Sequence, residues 1–203
     1  YWDTAFLRGA FEGLLRRNQT ALLDRMMISC YAWSNGHPLN WGSGGPEQWP
    51  AARPYDTPKG TEDQRGFRIF DWYLALSGVV FGQRLPILAM AAGALPEEKA
   101  FDIPSADTPH TTQNLLIARL MRGEKTTLDP IPNELLACNF WLLAADGNHP
   151  AASAAWYKPD GSTLPIATRL QQWVAGQPGS NILPNQSANP QNTKELGNRP
   201  IAH

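Results

Sequence analysis

Apolar and polar positions follow two rhythms along this chain. Phe6, Leu7, Ala10, Phe11, Leu14 and Leu15 recur every three or four residues, with Arg8, Glu12, Arg16 and Arg17 opposite them. That spacing predicts an amphipathic helix, capped at Asp3-Thr4 and ending near Asn18. A short apolar, β-compatible run follows over residues 26–33, closed by Ser34-Asn35-Gly36, and predicts a buried strand. Thr61-Glu-Asp-Gln64 fits a capping box, from which a helix should run to about Gly82, burying Phe67, Phe70 and Leu74. Residues 86–93 predict a second buried strand. Thr108-Pro109 reads as the cap and first residue of another helix, stopped by Gly123. Residues 136–143 predict a third strand, after a helical turn at 132–135. Trp156-Tyr157 and Pro159-Asp160-Gly161 predict an extended piece and a turn. A last helix should open at Leu164-Pro165, run through Trp173 and end at Gly176. Apolar strands alternating with amphipathic helices predict an α/β fold of parallel βα units.

Two stretches escape both rhythms. Residues 34–60 are loaded with Gly and Pro, yet carry Trp41, Trp49 and Tyr55. A loop this long in a compact domain is usually functional or disordered, and three large aromatics argue against plain disorder. Residues 177–203 contain no Phe, Trp or Tyr and are rich in Asn, Pro and Gln. Such a segment cannot order itself by burial. The expected organisation is therefore one βα domain over 1–176 and an irregular tail over 177–203, ordered only if pinned against its own domain or a neighbouring chain.

Composition narrows the partners. The 203 residues are 42% hydrophobic and only 17% charged, with a net charge of -1. A buried core is within reach, while the basic face that bulk nucleic-acid or anionic-membrane binding needs is missing. The longest apolar runs, 74–81 and 85–95, fall short of the roughly 18 residues of a membrane span. Eight tryptophans on a charge-poor chain suit sugar stacking or burial against partner chains; a core role is an equal reading for any one of them. Cys30 and Cys138 sit in separate apolar runs and read as buried thiols. The chain opens at Tyr1, so a removed leader and a longer parent chain are both readings. Asn18-Gln-Thr20 and Asn185-Gln-Ser187 match the N-glycosylation triplet, which matters only in a secreted eukaryotic chain.

Most familiar chemistry is missing. Gly42-Ser43-Gly44-Gly45 lacks the Lys-Ser/Thr of a phosphate loop, and no Gly-x-Ser-x-Gly elbow occurs. His37, His110, His149 and His203 show no metal-ligand spacing, and no metal or cofactor is expected. What remains is an aromatic and polar collection at the carboxyl ends of the predicted strands, where parallel βα folds bind ligands. Tyr31 and Trp33 end the first strand, Trp141 and Asp146 follow the third, and Trp41 and Trp49 hang from the same edge. Indole faces stack on pyranose rings, and Asp or Tyr supplies hydrogen bonds to hydroxyls. These six are the candidate substrate-binding residues of a saccharide cleft.

Met27-Ile-Ser-Cys-Tyr-Ala-Trp33, a long Gly/Trp loop and helix, then Leu85-Pro-Ile-Leu-Ala-Met-Ala-Ala-Gly93, resemble the later βα units of (β/α)8-barrel glycoside hydrolases of the retaining, clan-A-like kind. Asn139-Phe-Trp-Leu-Leu143, then Ala154-Ala-Trp-Tyr-Lys-Pro-Asp-Gly161 and the closing helix, resemble that superfamily's eighth strand and its sequel. The resemblance covers roughly residues 1–176 and implies the C-terminal half of a TIM-type barrel. It also implies an acid/base after strand four and a nucleophilic Glu ending strand seven, about 5 Å apart. This chain departs from that pattern. The strand-seven position falls in Ala89-Met-Ala-Ala-Gly93, which holds no carboxylate; Glu97 and Glu98 follow only on the next loop, as weak catalytic candidates. Ser29 stands where a His is often seen. Tyr31 and Trp141 match positions that carry a tyrosine near the nucleophile and a sugar-stacking tryptophan.

The resemblance thus implies a glycosidase-like domain that keeps an oligosaccharide or polysaccharide cleft but is catalytically degenerate as it stands. Two alternatives stay open. One is a structural subunit docked through its Trp-rich loops and tail to a partner chain that completes the sheet, since half a barrel leaves open edges. The other is an active glycosidase whose acid/base lies in upstream sequence. Sugar-facing barrels are often exported, which implies a secreted, cell-surface or periplasmic location.

Overall fold

The computed structural model describes residues 4–53, 56–96 and 108–176. Three strands, β1 (Ile28–Trp33), β2 (Ile87–Gly93) and β3 (Leu135–Phe140), form one sheet in the order β1-β2-β3, and both pairings are parallel. Among the described residues, five α-helices accompany them: α1 (Thr4–Arg16), α2 (Gly45–Gln48), α3 (Ile69–Phe81), α4 (Pro109–Met121) and α5 (Pro165–Ala175). The parallel α/β arrangement expected from the hydrophobic pattern is therefore present. None of the helices among the described residues is long and apolar enough to cross a membrane.

α3 joins β1 to β2 and α4 joins β2 to β3. Parallel neighbours joined through a helix cross over with a single handedness, so both helices lie on the same face of the sheet. Burial along β1 agrees: Ile28, Cys30 and Ala32 are buried, while Ser29 and Tyr31 are exposed. The core fills the covered side with Phe67, Phe70, Leu74, Leu76, Ile87 and Ile117. α1 joins it through Phe11, whose ring lies 4.7 Å from that of Phe81. Phe6 and Leu15 of the same helix remain exposed, so its buried stripe is narrower than the sequence pattern.

Several boundaries moved for identifiable reasons. β1 starts at Ile28 because Thr20–Arg25 winds into a 3-10 helix. β3 stops at Phe140, and the carbonyls of Leu142 and Leu143 accept from the N–H groups of Trp156 and Tyr157, both at 2.9 Å. The expected turn before β3 is a hydrogen-bonded turn closed from Leu135 N–H to Pro132 O, not a helix. The largest correction concerns Thr61-Glu-Asp-Gln64. No helix begins there: α3 starts at Ile69, because Thr61 Oγ1 is spent on Pro58 O and Asp63 is drawn into a buried network. The helix stops fall at the expected glycines. Gly82 adopts φ 73°, which L-residues avoid, and its N–H returns to Gly78 O. Thr108 caps α4 by accepting from Thr111 N–H at 3.3 Å.

Register settles the cysteines. Cys30 and Cys138 both pair with Ala89, from opposite sides of β2. Two strand spacings, roughly 9–10 Å, separate them, beyond the reach of a disulfide. Burial pushes each thiol up to about 12. Ellman's reagent should therefore find no fast-reacting thiol in the native chain and two after unfolding in guanidinium; a rapidly titrating native thiol would contradict this register.

Candidate functional site

Parallel strands bring their carboxyl ends to one edge, and here that edge is organised around a glycine. Trp33 of β1 pairs with Gly93 of β2, and Ala92 pairs with Phe140, which sets Trp141 level with Gly93. The indoles of Trp33 and Trp141 meet here edge to face, centroids 6.4 Å apart and planes at 89°. Gly93 itself is required by its backbone angle and by α4. It sits at φ 107°, and an added Cβ would fall 2.1 Å from Asn114 Oδ1. Asn114 is fully engaged with the chain just beyond: its Oδ1 accepts from Ala94 N–H (3.0 Å) and its Nδ2 donates to Ala94 O (3.1 Å). So α4 is locked to the end of β2 by one amide.

Tyr31, two residues before Trp33 and on the same side of β1, is 67% exposed. Tyr31, Trp33 and Trp141 thus share the open end of the sheet. The peptide bond from Trp141 to Leu142 is cis. The other candidates lie elsewhere. Trp41 is half-buried, stacked on His37 with centroids 4.1 Å apart, and donates from Nε1 to Asp63 Oδ1. Trp49 Nε1 donates to Ser43 O at 2.9 Å. Both indoles are thereby tied into their own loop. Asp146 is exposed and accepts from Asn148 N–H at 2.8 Å, closing a local turn. Glu97 and Glu98, like the tail over 177–203, lie outside the described residues.

The long loop is ordered by carboxylates. Asp63, 1% exposed, accepts from Trp41 Nε1, Thr57 Oγ1, and the backbone and guanidinium of Arg65. Burial works to raise its pKa, but these hydrogen bonds outweigh it and bring the group down to about 2. Glu62 accepts from Gly42 N–H at 2.7 Å, and the Gly42 carbonyl takes the Trp72 indole N–H at 2.9 Å. Where loop, α3 and the chain before β3 converge lies a depression of about 350 Å³, lined by Ser43, Glu47, Arg68, Asp71, Arg84 and Asp129 among others. Arg68, Asp71 and Asp129 are spent internally. Arg68, 4% exposed, donates from Nε to Asp71 (2.8 Å) and from both Nη atoms to the carbonyls of Asp129 and Pro130 (3.2 Å each). Asp71 also accepts from Gly44 N–H; burial raises its pKa, and Arg68 opposes that. Ser43 Oγ donates to Asp129 at 2.6 Å. This is a clamp between three segments. Among the described residues, no group of three or more His, Cys, Asp or Glu is placed to hold a metal ion.

Sequence reading missed Asp63, Arg68 and Asp71, because an acidic or basic residue near a helix start ordinarily signals a solvated end. No family model matches the chain, nor does any curated protein or solved structure.

Replacing Asp63 with Asn should cost about 2 kcal/mol of stability at neutral pH, the worth of charge-assisted hydrogen bonds to a buried group. Wild-type stability from this group is fully present above about pH 4 and fades as pH falls toward about 2. Urea titrations of wild type and D63N should converge in that range; a constant gap would contradict the assignment. Arg68→Met, which strands Asp71 and two carbonyls, should cost about 3 kcal/mol in the same assay.

Proposed function

We propose that this chain is a glycoside-hydrolase-like domain with a carbohydrate-binding cleft, corresponding to part of a TIM-type barrel and catalytically degenerate as it stands. The observation that carries the reading is the Trp33–Trp141 pair at the carboxyl end of a parallel sheet, with Tyr31 exposed beside it. Two perpendicular indoles offer one face and one edge, so a pyranose ring can stack on the face while its hydroxyls reach the tyrosine. The tip of β2, Ala89 to Gly93, carries no carboxylate, so the nucleophile of a retaining mechanism has no residue there. Binding without turnover is the function these residues support. A sugar-facing domain of this kind belongs at the cell surface, in the periplasm or outside the cell.

A second reading has its own observation. The sheet face away from the helices shows Met27, Tyr31, Met90 and Leu136, each at least half exposed. Parallel sheets are ordinarily covered on both faces, so this face suits a structural subunit docked in a larger assembly.

Titration with a panel of soluble oligosaccharides, followed by calorimetry, decides between them. The carbohydrate reading expects binding to at least one member, weakened tenfold or more in Trp141→Ala and in Tyr31→Ala. Identical titration curves for wild type and both variants, or no heat across the panel, would sink it.

A further inference from the structure

Polar atoms without a hydrogen-bond partner gather where α4 begins. His110 Nε2, Thr112 Oγ1 and Gln113 Oε1 lie in its first two turns, and Trp156 Nε1 lies on the segment packed against it. His110 and Trp156 are only 3% and 5% exposed. Their rings meet edge to face, 6.1 Å apart at 89°. On its other side Trp156 rests against Phe140, the residue before Trp141, with centroids 5.1 Å apart. An apolar ring contact therefore closes over His110 and Trp156, whose buried Nε2 and Nε1 atoms water would satisfy on opening. Each buried, unmatched donor or acceptor opposes closure, and the ring burial favours it.

Among the described residues, no charged group prepares this place for a positive charge. β2 and β3 carry no charged residue. On the segment around Trp156, Asp146 is bound to Asn148 N–H, Asp160 to Ser162, Lys158 to Ser153 O, and His149 accepts from Ala151 N–H. α4 contributes Arg119, paired with Glu124, and α5 contributes Arg169. We propose that the first turns of α4 and the segment around Trp156 form a latch that opens as pH falls, with His110 taking the proton and the His110–Trp156 contact parting.

The direction follows from linkage. Burial, the whole cause of the shift, lowers His110 from 6.5 to about 4 in the closed form. Above 6.5 the imidazole is neutral whether the latch is closed or open, and closure is at its strongest. Between 6.5 and about 4 only the opened, solvated imidazole is protonated, so the closed-to-open ratio falls about tenfold per pH unit. Below about 4 both forms carry the proton and the ratio levels off. The latch stands or falls independently of any carbohydrate role.

Three amides report on it: Trp156 N–H and Tyr157 N–H, bonded to Leu142 O and Leu143 O, and Leu164 N–H, bonded to Trp156 O. Hydrogen exchange of the full chain should be followed from pH 7.5 to 4.5, corrected for intrinsic exchange rates. Their protection is expected to fall about tenfold per unit below 6.5, while amides of β1 keep theirs. His110→Phe keeps a ring against Trp156 but takes no proton, and should flatten the profile; His110→Gln serves the same purpose if the larger ring does not fold. The proposal is overturned by a flat wild-type profile, by a slope that survives in both variants, by a slope that vanishes in His149→Asn, or by an equal slope in β1, which would mark global unfolding.

Discussion

β2 is the strand that nothing else in this chain can do without. Among the described residues it is the only strand paired on both edges, so its backbone supplies hydrogen bonds to β1 and β3 at once. Parallel pairing cannot be closed by a short turn; it needs a crossover on each side, and that requirement places α3 before β2 and α4 after it. The strand meets both demands with small side chains. Ala89, Ala91, Ala92 and Gly93 are buried and leave room for helices to approach. The ends are tied at the bottom as well: Ile28 N–H donates to Pro86 O at 2.8 Å, and Ile87 N–H to Glu134 O at 2.7 Å. Ser77 fixes the entry to β2 by accepting from Leu85 N–H while donating to Leu74 O. Sheet pairing and helix approach therefore rest on one short, alanine-rich segment.

Around that sheet the chain uses buried and half-buried carboxylates as loop anchors. A long Gly- and Pro-rich loop has few backbone partners of its own, and each ordered residue costs conformational entropy. Asp63, Glu62 and Asp71 meet that cost by accepting from indole, guanidinium, hydroxyl and backbone N–H donors drawn from three segments. Tryptophan serves here as a donor with a large apolar body. Trp41, Trp49 and Trp72 each bury a ring at least in part and spend their N–H inside the loop. This accounts for part of the tryptophan excess without a ligand. Trp33 and Trp141 have a different setting, at the open end of the sheet.

The two faces of the sheet are unequal. One is covered by helices and carries the core. The other leaves Tyr31, Met90 and Leu136 in contact with solvent, an arrangement that parallel sheets rarely keep. Both functional readings are readings of that face: a cleft that offers aromatic surface to a sugar, or a wall that another structure covers. In either, β1 and β3 are the edges where further pairing would occur.

Local pattern was enough to determine the strands, their order along the chain and most helix ends. A helix period, a Thr-Pro start such as Thr108-Pro109, or a Gly stop such as Gly82 acts within about four residues, so neighbours in sequence carry the whole physical cause. Tyr31, Trp33 and Trp141 were legible as strand-end aromatics for the same reason. Tertiary structure decided what local pattern could not weigh. Thr61 to Gln64 satisfy a capping rule, yet Asp63 finds better partners in Trp41 and Arg65 once the loop folds back. Trp41 and Trp49 look like ligand-stacking residues until Asp63 and Ser43 take their N–H groups. His110 looks like an ordinary second residue of a helix until Trp156, 46 positions later, closes over it. Hydrogen bonds and ring contacts depend on distance in space, and a sequence records only distance along the chain.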